Sequence, residues 1–307
     1  MNKSNILILD GGMGRELERR GAPFRQPEWS ALAMMEAPEI VKEAHLAFIQ
    51  AGSRVITTNS YALVPFHIGE EVFAQRAEKL ADLAGVKAKQ AVEESKTNTL
   101  VAGSLPPLFG SYRADLYQAG RVEEIATPLI NGLKANVDFW LAETQSLIAE
   151  VIAVKSVVDK QCTESKPYWV SFTLEDSEET VVPLLRSGET VESAVKAMAE
   201  LQVDAILFNC SQPEIIEDAL TVARHTLNSL QQDQIKLGAY ANAFPPQPKD
   251  ATANDGLDEL RADLTPPAYL VWAEKWQEQG ATLIGGCCGI GPDHIQQLAD
   301  HFNAIIS

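Results

Sequence analysis

Eight short runs of apolar and β-branched residues, each followed by a longer segment of helical period, recur along this 307-residue chain and limit the architectures open to it. The strand-like runs are Ile6 to Leu9, Arg54 to Thr58, Leu100 to Gly103, Val137 to Ala142, Tyr168 to Thr173, Val203 to Phe208, Lys236 to Ala241 and Ala281 to Gly285. The helical segments are Pro38 to Ala51, Glu70 to Ser95, Val122 to Ala135, Thr144 to Val158, Val191 to Leu201, Pro213 to Leu230, Pro266 to Gln279 and Pro292 to Asn303. This alternation predicts an α/β fold of the (β/α)8 TIM barrel type, because eight repeats is the number at which such a barrel closes. An open, doubly wound sheet is the competing arrangement. A single barrel domain over residues 1–307 is expected, since no linker or low-complexity segment divides the chain.

Barrel enzymes work at the ends of their strands, so the residues that end these runs matter most. Three of the four cysteines lie there. Cys210 follows Val203 to Phe208, and Cys287 with Cys288 sits in Gly285-Gly286-Cys287-Cys288-Gly289 after Ala281 to Ile284. If the strands form one parallel barrel, their ends converge, and three thiolates can meet around one soft or borderline cation such as Zn2+. Chemically active zinc sites commonly keep three protein ligands and leave the fourth position to water or substrate. Adjacent cysteines on a strand point to opposite faces, so both reach one metal only where the backbone bends, which the flanking glycines permit. Two other readings stand beside this one. In one, the cysteines fill a tight barrel rim or Cys287 and Cys288 form a vicinal disulfide; in the other, the glycine-rich turn binds phosphate. Cys210 weighs against both.

Carboxylates also end strands. Asp10, followed by Gly11-Gly12-Met13-Gly14, ends the first, and Glu143 with Thr144 ends the fourth. Such a group suits an ammonium ligand, although helix capping or a solvated rim charge is the ordinary alternative; the glycines after Asp10 favour a ligand. Two long connections overhang the same end and are positioned to close over a substrate. Ser104 to Arg121 carries Tyr112, Arg113, Asp115 and Tyr117, and Asn242 to Thr265 carries Pro245, Pro246 and Pro248. His45, His67, His225, His294, His301 and Cys162 are read as structural or surface residues.

With 25 basic and 42 acidic side chains the chain carries a net charge of −17, which repels phosphate backbones and anionic lipid surfaces and argues against nucleic-acid and membrane partners. No stretch approaches the roughly 20 apolar residues that span a bilayer. Met1 to Asn5 lacks the features of a secretory signal, so a cytoplasmic location is expected, where thiols stay reduced.

The run Leu9-Asp10-Gly11-Gly12-Met13-Gly14 through Glu16-Leu17-Glu18-Arg19-Arg20-Gly21 is followed in order by Thr57-Thr58-Asn59-Ser60-Tyr61, Glu143-Thr144 and Asn209-Cys210. Gly285-Gly286-Cys287-Cys288-Gly289 with Pro292 and His294-Ile295 completes the series. This ordered set closely resembles the homocysteine S-methyltransferase family. The resemblance implies a (β/α)8 barrel, zinc bound by Cys210, Cys287 and Cys288, and homocysteine sulfur at the open position. It also implies that Asp10 and Glu143 hold the amino-acid part of homocysteine, assisted by backbone near Gly11 and Gly12, with Tyr61 near the methyl donor.

The chemistry asks for no separate general base. A free thiol with a pKa of about 8.5 is mostly protonated at neutral pH, whereas metal coordination removes the proton. Attack on a methyl group carried by cationic sulfur or nitrogen then neutralises charge, and Tyr61, Tyr112 or Tyr117 offers an aromatic face to that cation. Two loops depart from the family pattern. Gly103-Ser104-Leu105-Pro106-Pro107 replaces a Gly-Pro step and a longer acidic loop, and Asn242-Ala243-Phe244-Pro245-Pro246 replaces an Asn-Ser-Gly-Glu type of sequence. Both shape the donor side. S-methylmethionine or S-adenosylmethionine is the preferred donor class, betaine a further candidate, and another thiol or a selenol an alternative acceptor. A non-catalytic zinc- and thiol-binding barrel is the competing reading.

Overall fold

The computed structural model describes residues 6–177, 182–246 and 260–304. Eight strands are formed: β1 (Leu7–Ile8), β2 (Val55–Thr57), β3 (Leu100–Leu105), β4 (Phe139–Gln145), β5 (Tyr168–Phe172), β6 (Ala205–Asn209), β7 (Lys236–Tyr240) and β8 (Ala281–Ile284). All pair in parallel, in the order β1-β8-β7-β6-β5-β4-β3-β2. The expected barrel is therefore present, and the open sheet is excluded because β1 pairs with β8. The gap between β1 and β2 is bridged by fewer bonds. Arg54 N–H donates to the Ile8 carbonyl at 2.8 Å, Ser53 Oγ donates to the Leu9 carbonyl at 3.1 Å, and the Thr57 N–H donates to Asp10 Oδ2 at 2.7 Å.

Eleven helices lie among the described residues. They are α1 (Met13–Arg19), α2 (Ser30–Glu36), α3 (Pro38–Gln50), α4 (Pro65–Ile68), α5 (Glu70–Ser95), α6 (Val122–Leu133), α7 (Ile148–Gln161), α8 (Val191–Glu200), α9 (Pro213–Leu230), α10 (Pro266–Glu278) and α11 (Pro292–Ala304). None is long and apolar enough to cross a membrane. The pleat of each strand sorts its side chains into two layers. Along β4, Phe139 and Leu141 face the barrel axis with Trp169, Leu207 and Leu283, while Trp140 and Ala142 join the layer beneath the helices. Phe139 and Trp169 meet with ring centroids 4.1 Å apart and plug the interior. On β7 the inward position is Gly238, where a Cβ would stand 2.7 Å from both Leu207 and Leu283, so only glycine leaves room for these inward side chains of the two flanking strands, β6 and β8.

The structure differs from the sequence expectation around β4. The helical segment expected from Thr144 begins instead at Ile148, because the strand continues to Gln145 through a register shift between Ala142 and Gln145. Thr144 sits at φ 56° within this bulge. A bulge at a barrel rim bends the strand and re-aims the side chains on it. The short helices α1, α2 and α4 were not expected, since seven or fewer residues show too little helical period to register. In α1, buried Glu16 accepts from Arg19 at 2.8 and 2.7 Å and from Arg20 at 2.6 Å, which fixes the chain as it leaves β1.

Candidate metal centre and substrate pocket

Strand alternation alone would turn Cys210 toward the helices, since Asn209 before it faces the axis. Cys210 instead adopts φ 49°, a left-handed conformation that turns its sulfur toward the end of β8. A non-glycine residue in this region costs about 1–2 kcal/mol, so the surroundings must hold it. They do so at several points. Asn209 Oδ1 accepts from the Thr144 N–H at 3.1 Å and from Ser171 Oγ at 2.7 Å, and its Nδ2 donates to Thr144 Oγ1 at 2.8 Å. Thr173 Oγ1 donates to the Cys210 carbonyl at 3.2 Å, and Ser211 Oγ accepts from the Leu174 N–H at 2.8 Å.

Cys287 and Cys288 occupy a turn that β1 and β7 clamp from either side. Gly286 N–H donates to the Asp10 carbonyl at 2.9 Å, Cys287 N–H to the Ala241 carbonyl at 2.9 Å, and Ile290 N–H to the Cys287 carbonyl at 3.0 Å. These three N–H groups are therefore committed to backbone partners and are not open to a phosphate. The adjacent glycines are required by packing. A Cβ on Gly12 would stand 2.5 Å from the Cys287 carbonyl oxygen, and one on Gly11 would stand 2.3 Å from the Ile290 carbonyl oxygen. Gly12 also donates its N–H to Ile290, at 2.9 Å.

The three strand-end sulfurs meet as a group, all within 4.8 Å of one another. Cys210 and Cys287 are paired as a disulfide at a Cα separation of 5.8 Å, and Cys288 Sγ lies 4.0 Å from Cys287 Sγ. The pairing differs from the vicinal Cys287–Cys288 disulfide considered from sequence. Three soft donors converging from two strand ends, in their reduced form, fit one thiophilic cation. Among the described residues no other cluster of histidine, cysteine or carboxylate groups does so.

Above the sulfurs is a cavity of about 120 Å³ lined by Asp10, Tyr61, Tyr112, Glu143, Trp29 and Phe244, among others, with no lysine, arginine or histidine among the described lining residues. Asp10 accepts from the Thr57 N–H and, at 3.3 Å, from Thr57 Oγ1. Burial raises its pKa to about 7, and the nearby Glu143 carboxylate adds to the rise against the lowering bond from Thr57. Glu143 accepts from Ser104 Oγ and is likewise raised to about 7 by burial. Two carboxylates thus face a small enclosed volume without a resident cation. Tyr61 bonds Ser111 through its hydroxyl, meets Trp29 edge-on at 6.1 Å, and is held un-ionised by burial.

The model of the family described as homocysteine S-methyltransferase matches residues 7–302. The chain belongs to the homocysteine S-methyltransferase family. It is 30% identical to the homocysteine S-methyltransferase of Escherichia coli, with 97% of this chain and 96% of the relative covered. The crystal structure of a homocysteine methyltransferase from that organism, in a metallated form, superposes with a TM-score of 0.75 at 28% identity, covering 98% and 97% of the two chains. A selenocysteine Se-methyltransferase from Brassica oleracea var. italica is 27% identical over 95% of this chain and 87% of its own. The protein is thus a methyltransferase of this family, with small-molecule substrates.

As a homocysteine S-methyltransferase family member, the chain brings together all eight residues singled out from sequence: the three cysteines, Asp10, Gly11, Gly12, Glu143 and Tyr61 line one cavity. The long loops divide. Tyr112 reaches the cavity, whereas Tyr117 packs on Phe109 at 5.8 Å and Arg113 pairs with Asp115 at 2.8 Å. Phe244 reaches it from the loop after β7, while Pro248 lies outside the described residues. His67 bonds the Pro27 carbonyl, His294 the Leu264 carbonyl and His301 Glu274, and Cys162 caps α7. Sequence reading missed Trp29, Tyr240 and the polar residues that hold Glu143 and the Asn209–Cys210 turn in place, Ser104, Ser171 and Thr173. Only the period-two pattern of β3 and β5 carried a signal for the last three.

Proposed function

We propose that this methyltransferase moves a methyl group from a sulfonium donor, S-methylmethionine or S-adenosylmethionine, to the sulfur of homocysteine, using zinc held by Cys210, Cys287 and Cys288. The convergence of the three sulfurs carries this reading. Around tetrahedral zinc, with bonds of about 2.3 Å, neighbouring sulfurs stand about 3.8 Å apart. The 4.0 Å between Cys287 and Cys288 is close to that spacing, and all three sulfurs already lie within 4.8 Å of one another. A reducing cytoplasm would keep the thiols in that state.

What zinc supplies in such a site is a substrate sulfur that is ionised at neutral pH and still nucleophilic. The protein's own groups do the rest. Asp10 and Glu143 receive the ammonium of homocysteine. Each carboxyl holds a proton near neutrality while the cavity lacks a cation, and an ammonium between them drives both to the ionised form. Gly11 and Gly12 let β1 lie against the Cys287–Ile290 turn, which sets the distance from the ammonium site to the sulfurs. The donor reaches a wall of Tyr61, Tyr112, Trp29 and Phe244, whose ring faces and acidic surroundings favour a cation. Aligning the nucleophilic sulfur with the methyl carbon needs no proton transfer at the moment of attack. The decisive experiment is a donor panel with homocysteine, followed by mass detection of methionine and of each demethylated donor. Absence of methionine with every sulfonium donor would overturn the reading.

The selenocysteine Se-methyltransferase among the relatives supports a second acceptor class. Selenols ionise more readily than thiols, and the same ammonium site serves either amino acid. Competition between homocysteine and selenocysteine at equal concentration distinguishes them.

A further inference from the structure

The turn that presents Cys210 is gripped by a buried ion pair that the reaction itself does not require. After β5 the chain folds back through antiparallel bridges between Leu174 and Leu185 and between Leu184 and Thr190. The return places Arg186 against Asp176, with Nη2 donating to Oδ1 at 2.6 Å and the two side chains 2% and 1% exposed. The other carboxylate oxygen of Asp176 accepts the Gln212 N–H at 3.1 Å, two residues beyond Cys210. The Arg186 guanidinium stacks over the ring of Tyr112 at 4.3 Å, and the Tyr112 hydroxyl donates to the Cys210 carbonyl at 3.4 Å. Asp176 therefore holds the chain after Cys210, and Arg186 steadies a ring that touches Cys210 itself.

A buried ion pair is a weak source of stability, because desolvation offsets most of its attraction. Its placement here points to geometry. Cys210 holds φ 49°, and relaxation of this turn to the extended conformation would swing the sulfur from the barrel axis toward the helices. We infer that Asp176 and Arg186 are positioning residues for the metal centre, fixing the direction of the Cys210 sulfur so that it meets those of Cys287 and Cys288. The inference rests on Cys210 being a metal ligand, as proposed above.

The test uses the full chain, reduced and stripped of metal, titrated with zinc against a chelator and with cobalt(II) for its thiolate-to-metal charge-transfer band. Asp176→Asn keeps an acceptor for the Gln212 N–H but removes the charge facing Arg186, and Arg186→Met removes the cation and its stack. Both are expected to weaken metal binding about 10- to 100-fold, as loss of a ligand's supporting partner commonly does, and to alter the cobalt band. Arg186→Lys restores the charge and recovers part of the affinity. Each variant's metal-free melting temperature is recorded separately. A merely structural role lowers that temperature and leaves metal affinity and the cobalt spectrum unchanged, and this result overturns the inference. Should either variant fail to fold, Tyr112→Phe and Thr173→Val, which remove the two hydroxyls on the Cys210 carbonyl, carry the same expectation and the same refutation. Wild-type protein that binds neither metal would defeat the zinc reading together with this inference. Wild-type binding with unchanged variants would defeat the inference alone.

Discussion

Replacing Asp10 with asparagine should make the empty protein more stable and the substrate complex weaker, and the size of the first effect follows from the burial of the carboxyl. Its pKa rises from 3.8 to about 7 in the fold, which corresponds to about 4 kcal/mol of strain on the ionised form. The sign follows from proton counts. Between pH 4 and pH 7 the unfolded chain has released this proton while the folded chain keeps it, so the contribution to stability is full below pH 4 and is lost as pH rises through about 7. From pH 5 to pH 8 the loss from this one group amounts to about 2–3 kcal/mol. Asparagine keeps an acceptor for the Thr57 N–H and removes the charge and its repulsion with Glu143. The stability difference between Asp10→Asn and wild type should therefore grow by about 2–3 kcal/mol, in favour of the variant, between pH 5 and pH 8. Urea denaturation of the reduced, metal-free proteins at the two pH values measures it. Homocysteine affinity, by calorimetry on the metal-loaded protein, should fall at least about thirtyfold, because an ammonium loses a buried charged partner. Parallel pH profiles for the two proteins would refute the claim that Asp10 is held as an acid in the empty site, and unchanged homocysteine affinity would refute its contact with the ammonium.

Other perturbations probe separate parts of the site. Gly12→Ala places a Cβ 2.5 Å from the Cys287 carbonyl oxygen and should destabilise the fold by about 1–3 kcal/mol while lowering metal affinity, both read in one metal-dependent melting series. Cys288→Ala should abolish stoichiometric zinc, about one per chain in the wild type, together with methyl transfer, as elemental analysis and methionine formation would show. Oxidation that closes Cys210–Cys287 should exclude metal, and a dithiol reductant should restore it, monitored by thiol titration alongside zinc content.

The barrel was legible because each central strand is an uninterrupted apolar run flanked by turn residues, as in Tyr168 to Thr173 and Val203 to Phe208. The thiol cluster was legible for a related reason: parallel strands of one barrel end on one face, so residues far apart in sequence inherit a common location. Direction was harder to read. Nothing in the letters around Cys210 announces a left-handed residue, since cysteine seldom adopts one, and the conformation is held through bonds that Asn209 and Ser211 on either side of it make to the ends of β4 and β5, and by Thr173 just after β5. The bulge at Glu143–Thr144 was hidden similarly, because an acidic residue followed by threonine also reads as the opening of a helix. The Asp176–Arg186 pair lay in a loop where charged residues ordinarily face water. Trp29 reaches the cavity from a segment of mixed character between α1 and α2, where its ring lies within 3.0 Å of a Cβ built on Gly14.

Between Leu9 and Val55 the cylinder has its narrowest stitching, and one of the stitches is the Asp10 carboxylate reaching the Thr57 amide. On the proposed reading, the oxygen atoms that would greet a visiting amino group are the same ones that draw the first and second staves together. Arrival of such a guest would then be felt along that join, which would make the tightness of the cylinder wall and the occupancy of its mouth two readings of a single equilibrium.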